Sequence, residues 1–215
     1  MKKGFVISLA GLLLIAAALL LTAFNMWDSS RAGEKADAAL AELAPLVGDD
    51  PIPAEGRILV VGPVSEDEIL TEIEYPDYVL NPEMDMPIQT TDGVDYVGVL
   101  RLPTLGKELP VINEWSYPGL KIAPCRYTGS AYLDNLVICA HNYSRHFGEI
   151  TNLAYGDEVS FTDTDGNLFT YQVAEVETLQ PMAVEEMTSG EWDLTLFTCT
   201  IGGRSRVTVR CERMD

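Results

Sequence analysis

The chain has 215 residues, of which 47% are hydrophobic and 22% are charged, and its formal net charge is −19. This length allows one anchor and one domain with its own core. The acidic balance argues against a nucleic-acid partner, because phosphate contacts require clustered Lys and Arg, and against adsorption to an anionic lipid surface.

The first segment is apolar and long enough to cross a membrane. Lys2 and Lys3 precede residues 4–24, a run without charge. About 20 apolar residues span a bilayer as a helix, whereas a cleaved signal peptide has an apolar region of about 7–15 residues before a small-x-small site. We therefore expect an uncleaved single-pass signal anchor in residues 1–27, with Trp27 at the interface. The two lysines predict a cytoplasmic N-terminus and an extracellular domain.

A juxtamembrane helix and a stalk are predicted for residues 28–56. Residues 31–46 are rich in Ala, Glu and Leu, which predicts a short helix that ends near Pro45. Residues 49–56 are polar and interrupted by proline, which favours a stalk. The folded domain is then expected over residues 57–215.

The remaining sequence is mostly β in pattern. Residues 57–62 predict a short strand, residues 65–74 a helical turn, and residues 75–87 an irregular segment. Seven or eight short strands with few helices predict a closed or nearly closed barrel, or a sandwich. The further strands are predicted at residues 96–102, 108–113, 135–140, 158–162, 168–175, 193–199 and 205–211.

The four cysteines are Cys125, Cys139, Cys199 and Cys211. No two have the CxxC spacing of a thioredoxin-like redox site or a zinc knuckle. An even number in an exported chain permits disulfides, but Cys139 and Cys211 lie in predicted strands, where buried free thiols are common. The sequence leaves disulfide pairing open.

A nucleophile and a proton carrier are suggested by Cys199 and the only two histidines, His141 and His146. A thiolate can attack a carbonyl, and an imidazole can protonate a leaving amine and later deprotonate an entering one. His141 follows a strand directly and opens a loop, which is a common place for a site residue. His141 is therefore favoured, and His146 stays the competitor.

An arginine is predicted beside the thiol. If Gly202 and Gly203 form a two-residue hairpin turn, Cys199 faces Arg206 across the hairpin. Directly opposed residues have Cβ atoms about 4.5–5.5 Å apart. The guanidinium would favour the thiolate and hold a developing oxyanion. Arg204 is the runner-up, because a longer loop would change the register.

Several other chemistries are disfavoured by what the sequence lacks. The histidine precedes the cysteine, whereas the cysteine comes first in papain-like peptidases. The sequence contains no HExxH motif, Walker loop or GxGxxG fingerprint. We therefore predict neither a metal nor a cofactor.

TLFTC at residues 195–199 resembles the TLxTC signature of sortases, the cysteine transpeptidases of Gram-positive cell surfaces. AHN at residues 140–142 is similar to the segment around the sortase histidine, usually Gly-His-Asn or Gly-His-Arg. YVGVLRLP at residues 96–103, followed by LPV at residues 109–111, resembles the opening strands of the sortase barrel. The resemblance covers about residues 96–215, and an uncleaved N-terminal anchor is also usual in the family.

The resemblance implies an eight-stranded sortase-type closed β-barrel with short helices behind a transmembrane helix. It also implies a reaction in which a Leu-Pro-x-Thr-Gly-like sorting signal of a secreted protein is cleaved through a thioester. The acyl group then passes to an amine of a peptidoglycan cross-bridge or a pilin subunit. The site residues that it implies are Cys199, His141 and Arg206 for catalysis, and Thr198, Ala140 and Asn142 for substrate contacts.

The sortase subclass and two competing functions stay open. The histidine segment is similar to that of class B, but residues 175–192 are shorter than the class B helix region, and the Asp-Pro-Trp or Asp-Pro-Phe lid motif of class C is missing. Residues 75–87 are the candidate for a groove cover. One competitor is an exported cysteine hydrolase with the same residues. The other is a non-catalytic cell-wall binding module, in which Cys199 would be buried or oxidised.

Overall fold

A computed structural model of the chain describes residues 2–47, 52, 57–65 and 68–214. Its first element is the helix α1, Lys2–Val47, a single helix of 46 residues. The helix predicted at residues 31–46 is thus the second half of α1, because no Gly or Pro lies between residues 24 and 31 to interrupt it. Pro45 lies in the last turn of α1.

The two halves of α1 have different surroundings. The first half is exposed and is long and apolar enough to cross a membrane. The second half buries Ala32, Ala36, Ala39 and Leu43. This half therefore packs against the rest of the protein.

The next two strands form a separate antiparallel ribbon. β1 covers Arg57–Ser65 and β2 covers Glu68–Glu74. The helical turn predicted at residues 65–74 is therefore wrong. Ile69, Thr71 and Ile73 recur at every second position, and such β-branched residues favour a strand. Of the predicted stalk, only Ile52 is described, and it forms a parallel bridge with Asn167.

The remaining strands form one sheet that closes on itself. The sheet has the order β3-β4-β5-β6-β7-β10-β11-β9-β8, and β8 also pairs with β4. Eight strands, β4 to β11, therefore form a closed barrel, as predicted, and β3 extends it as an extra strand. The strands are β3 Gln89–Thr91, β4 Val94–Leu102, β5 Lys107–Ile112, β6 Cys125–Thr128, β7 Leu136–Ala140, β8 Glu158–Asp163, β9 Leu168–Leu179, β10 Leu194–Cys199 and β11 Arg206–Met214.

Short helices occupy the connections. They are α2 Asp77–Leu80, α3 Tyr117–Leu120 and α4 Val184–Met187, with single 3-10 turns at Pro103–Leu105, Ala131–Leu133 and Ile150–Asn152. In the segment 75–87, Tyr78 and Met86 are buried in the main core, and the Tyr78 ring stacks on Tyr132 at 4.5 Å. Tyr78 and Met86 thus attach this segment to the main core, whereas Tyr75, Val79 and Leu80 are exposed.

Two apolar clusters hold the domain together. The main cluster fills the barrel with large side chains, among them Leu100, Phe161 and Phe169, all of which are inaccessible to solvent. The second cluster lies under α1 and joins Leu43 to Val99 of β4. Because the second cluster includes residues of the helix, the half of α1 that follows the apolar run is packed against the outside of the barrel.

Candidate active site

The site forms where three strand ends meet. β7 and β10 are parallel neighbours, and their register places Thr198 beside Ala140. The next residue of each strand, Cys199 in β10 and His141 after β7, therefore leaves the sheet at the same edge. β11 begins at this edge, because it runs antiparallel to β10.

The β10–β11 pairing brings Arg206 directly opposite Cys199, in the predicted register. The tight turn lies one residue earlier than predicted, because the Gly203 amide donates to the Thr200 carbonyl at 2.8 Å. The Thr200 amide still donates to the Ser205 carbonyl at 3.0 Å, so the register is unchanged.

A cavity of about 220 Å³ lies at this edge of the barrel. Its polar wall contains Cys199, His141 and Arg206, and Ala140 also lines it. Its other walls are apolar and aromatic, which suits an extended peptide with apolar side chains. The residues of these walls are Trp115, Tyr117, Leu120, Tyr127, Cys139, Pro181, Val184, Met187 and Phe197.

Cys199 is the accessible thiol of the four. All four cysteines are free, but Cys125, Cys139 and Cys211 are buried, whereas Cys199 is half-buried. Burial raises the pKa of Cys125 to about 12, and it raises the pKa of Cys139 and of Cys211 as well. Because only a thiolate is a good nucleophile, these three thiols are inert and Cys199 is the candidate.

The two histidines lie in different environments. His141 is half-buried at the cavity, and its pKa lies below the ordinary value, mainly because of burial and then because of the Lys121 charge, with Asp28 acting in the opposite direction. His146 is inaccessible to solvent, and burial lowers its pKa to about 4. At neutral pH the His146 imidazole is therefore neutral and out of reach of a ligand in the cavity.

Arg206 lies at the cavity with its guanidinium folded toward the hairpin turn. Its Nη1 donates to the carbonyls of Gly203 at 3.3 Å and of Ser205 at 3.2 Å. These contacts leave the other guanidinium nitrogens for a ligand near Cys199. Arg204 is exposed and does not line the cavity.

The other residues of the two motifs have different positions. Thr198 is buried, and its hydroxyl donates to the Ala140 carbonyl at 2.8 Å. Asn142 is exposed and, like Thr198, does not line the Cys199 cavity. Thr198 thus contacts the histidine strand, and Asn142 faces solvent beside it.

Arg210 lies outside the Cys199 cavity and supports one of its walls, a role that the sequence did not predict. It is buried and forms an ion pair with Glu177, with Nε at 2.8 Å from the carboxylate. It also donates to the Thr195 hydroxyl at 3.0 Å and to the backbone carbonyls of Glu186 and Met187, at 2.7 and 3.3 Å. Since α4 supplies part of the cavity wall, Arg210 fixes that wall to the barrel.

Acidic side chains concentrate in a second hollow, of about 480 Å³, on the other side of α4. Within the described ranges, no three His, Cys, Asp or Glu side chains are arranged to hold a metal ion. The acidic residues of this hollow are Glu175, Glu177, Glu185, Glu186 and Glu191.

Comparisons with known proteins agree with this fold. The structure is similar to sortase C1 from Streptococcus suis, at 24% identity and a TM-score of 0.50, over 56% of this chain and 73% of that chain. It is also similar to the sortase D5 transpeptidase of Clostridium perfringens, at 19% identity and a TM-score of 0.51, over 59% and 83% of the two chains. No curated protein matches in sequence. The sequence model of the sortase domain matches residues 100–214, more than half of the chain, and the protein therefore belongs to the sortase family of cysteine transpeptidases.

Proposed function

We propose that this protein is a membrane-anchored transpeptidase that cleaves a C-terminal Leu-Pro-x-Thr-Gly-like sorting signal and transfers the acyl group to an amine. The donor would be a secreted protein, and the acceptor a peptidoglycan cross-bridge or a pilin subunit. The observation that carries the proposal is that Cys199, His141 and Arg206 line one cavity. A thiol, a proton carrier and a permanent cation are the groups that acyl transfer requires.

In the acylation step the Cys199 thiol gives its proton to His141, and the thiolate attacks the scissile carbonyl carbon. The carbonyl π electrons move to oxygen, and the Arg206 guanidinium stabilises the oxyanion. The oxyanion then collapses and the C–N bond breaks, while the His141 imidazolium protonates the leaving amine. The product is a thioester on Cys199 and a free amine at the new N-terminus.

In the second step an acceptor amine attacks the thioester carbonyl. The neutral imidazole of His141 removes a proton from the attacking nitrogen, and the C–S bond breaks to release the Cys199 thiolate. The His141 imidazolium then returns this proton to the thiolate, which restores the starting thiol and imidazole. The lowered pKa of His141 keeps the imidazole neutral at pH 7, which suits it to this base role. An amide bond replaces the one that was cleaved.

The cavity walls support a peptide substrate with apolar residues before the cleavage point. The rings of Tyr127 and Phe197 pack edge to face with centroids 5.3 Å apart, and the Trp115 ring centroid lies 5.7 Å from that of Tyr127. Such rigid aromatic surfaces bind Leu and Pro side chains at a low cost in conformational entropy. We assign the leucine and proline of the sorting signal to these walls.

The proposed topology follows from α1 and its charges. The apolar half of α1 would anchor the protein as a single pass, and Lys2 and Lys3 would stay in the cytoplasm. The catalytic domain, residues 57–215, would then be extracellular, with residues 28–56 between it and the anchor. The active site would face the compartment in which secreted proteins are displayed.

Amine dependence tests this function. The full-length protein in detergent would be incubated with a panel of sorting-signal peptides, with and without triglycine or lysine peptides, and the products analysed by mass. The proposal predicts an amide-linked product that requires both the amine and Cys199. Hydrolysed peptide alone, at a rate independent of amine, would support the hydrolase instead, and no turnover would support the binding module.

A further inference from the structure

The second half of α1 is packed closely onto the barrel. Its buried residues are mostly alanines, which allow the helix backbone to lie near the strands. Ala36 and Ala39 belong to one cluster with Tyr96 of β4 and Ile112 of β5. The position of this half-helix is therefore fixed relative to the barrel. The side chains on the adjacent face of the same half-helix are fixed with it.

That neighbouring face contacts the loop that follows His141. The Tyr143 hydroxyl donates to the Asp28 carboxylate, and Arg145 donates to the Asp37 carboxylate. A third contact joins the hydroxyls of Ser29 and Ser144 at 3.5 Å. Three consecutive loop residues thus each contact a residue of α1, two of them through a hydrogen bond to a carboxylate.

Gly33 allows the helix and loop to approach this closely. The Arg145 side chain crosses α1 at Gly33, and a Cβ atom there would lie 2.5 Å from the Arg145 Nε and 2.9 Å from its Cγ. Any side chain at this position would displace Arg145. A glycine in a helix interior costs about 1 kcal/mol relative to alanine, so close approach is the structural reason for this residue.

Tyr143 links these contacts to the histidine. Its ring centroid lies 4.9 Å from that of His141 and 5.5 Å from that of His146. Its hydroxyl is held by Asp28, so the ring cannot swing away from His141 about the Cα–Cβ bond without breaking that hydrogen bond. The ring therefore forms a side wall for the His141 imidazole.

We propose that Asp28 and Tyr143 are positioning residues for His141, so that the membrane-proximal half of α1 is a structural part of the active site. This inference rests on the proposed role of His141. Asp28 lies four residues beyond Phe24, a rise of about 6 Å along a helix. The acyl transfer site would therefore lie close to the membrane surface, where an anchored substrate emerges.

Charged and titratable groups face His141 from several elements. Asp28 approaches from α1, Lys121 from the residue after α3, and Tyr143 from its own loop. Cys199 and Arg206 face it across the cavity. Loss of the Asp28 charge would remove the one influence that raises the pKa of His141, whereas loss of the Tyr143 hydroxyl would release the ring without changing the charge.

The test uses the full-length protein in detergent, with Tyr143→Phe, which removes the donor of the hydrogen bond, and Asp28→Ala, which removes its acceptor. We expect each variant to lower kcat for peptide transfer about five- to tenfold with KM within about twofold, because the proton carrier is misplaced while the peptide walls are intact. The double variant should be no slower than the slower single variant, since both remove one shared interaction. Tyr155→Phe removes an exposed hydroxyl and Glu34→Gln an exposed charge of α1, and both should match the wild type.

A second readout is independent of turnover. With 13C-labelled histidine in the Cys199→Ala background, Asp28→Ala should move the His141 titration midpoint to lower pH, and Tyr143→Phe should change the His141 chemical shift. Wild-type kcat together with unchanged His141 signals in both variants would overturn the inference. If His141→Ala also transferred peptide at the wild-type rate, the proposed function itself would fail. The NMR result would still show whether Asp28 and Tyr143 influence the His141 imidazole.

Discussion

The Thr198 hydroxyl donates a hydrogen bond of 2.8 Å to the Ala140 carbonyl, directly before Cys199 and His141 in their respective strands. This side-chain bond adds to the parallel ladder at the point where β7 and β10 end. Backbone hydrogen bonds alone hold the ends of parallel strands weakly, so the extra bond fixes the distance between the two strand ends. This hydrogen bond therefore helps to fix the position of Cys199 relative to His141.

Replacement of Thr198 by valine should weaken the attachment between the ends of β7 and β10. The substitution keeps the shape but removes a buried hydrogen bond, so we expect the free energy of unfolding to fall by about 1 kcal/mol and kcat to fall about tenfold. Thr162→Val is the matched control, because the Thr162 hydroxyl is buried without a partner and its loss should be neutral or stabilising. Equal effects of the two substitutions on kcat would show that the Thr198 bond has no role in alignment.

Replacement of Arg210 by methionine should release the α4 wall. The buried ion pair and the bonds to the carbonyls of Glu186 and Met187 would be lost, which should lower the free energy of unfolding by about 3 kcal/mol. Because Met187 lines the cavity and Arg210 does not, KM for the peptide should rise more than kcat falls. Initial rates measured over a range of peptide concentrations give both KM and kcat.

The control for Arg210 is Arg101→Gln. Arg101 forms an exposed ion pair with Glu108, and such pairs contribute at most about 1 kcal/mol. This variant should keep the wild-type KM. An Arg210→Met protein with unchanged KM would mean that α4 holds its position without the arginine.

The Lys121 charge should influence the active-site histidine. Lys121→Gln removes a charge that lowers the pKa of His141, so this pKa should rise toward its ordinary value, and the pH limb of activity that His141 controls should move to higher pH. NMR titration of labelled histidine measures the change, and the chain has only two histidines to assign. Lys35→Gln removes the same charge from an exposed position on α1 and should leave the His141 titration as it is.

Burial of His146 should make the fold sensitive to acid. Its pKa is about 4 in the folded protein and 6.5 as the ordinary value, so the unfolded chain binds a proton in this range that the folded chain does not. Stability is therefore full above about pH 6.5 and is lost as the pH falls toward 4. The loss from this residue should reach about 2–3 kcal/mol at pH 4.5.

A His146→Phe variant isolates this contribution from that of the many carboxylates. Chemical unfolding of both proteins at pH 7.5 and 4.5 should show that the variant gains about 2–3 kcal/mol relative to the wild type on acidification. If the difference in the free energy of unfolding between the two proteins were the same at both pH values, the lowered pKa of His146 would be contradicted.

Local sequence chemistry predicted the hairpin and the strand ends of the site. The paired glycines limit how β10 and β11 can be joined, and this was enough to place Arg206 opposite Cys199. The strand end before His141 was visible in the apolar run of β7. These features depend on residues that are near in sequence, so patterns can predict them.

Features that depend on distant contacts were missed. β6 has four residues and β3 has three, too few for a periodic pattern, and each is stabilised by a neighbouring strand. The role of Arg210 depends on Glu177 and α4, which the fold brings together from other parts of the chain. The packing of α1 beside the histidine loop likewise required the closed barrel.

The role of Cys199 as the nucleophile is tested most directly by intact-mass analysis of the full-length protein mixed with a sorting-signal peptide. We expect a thioester adduct on the wild type that is missing from Cys199→Ala and that converts to an amide-linked product when an amine is added. An amide-linked product formed by the Cys199→Ala variant at the wild-type rate would show that Cys199 is not the nucleophile.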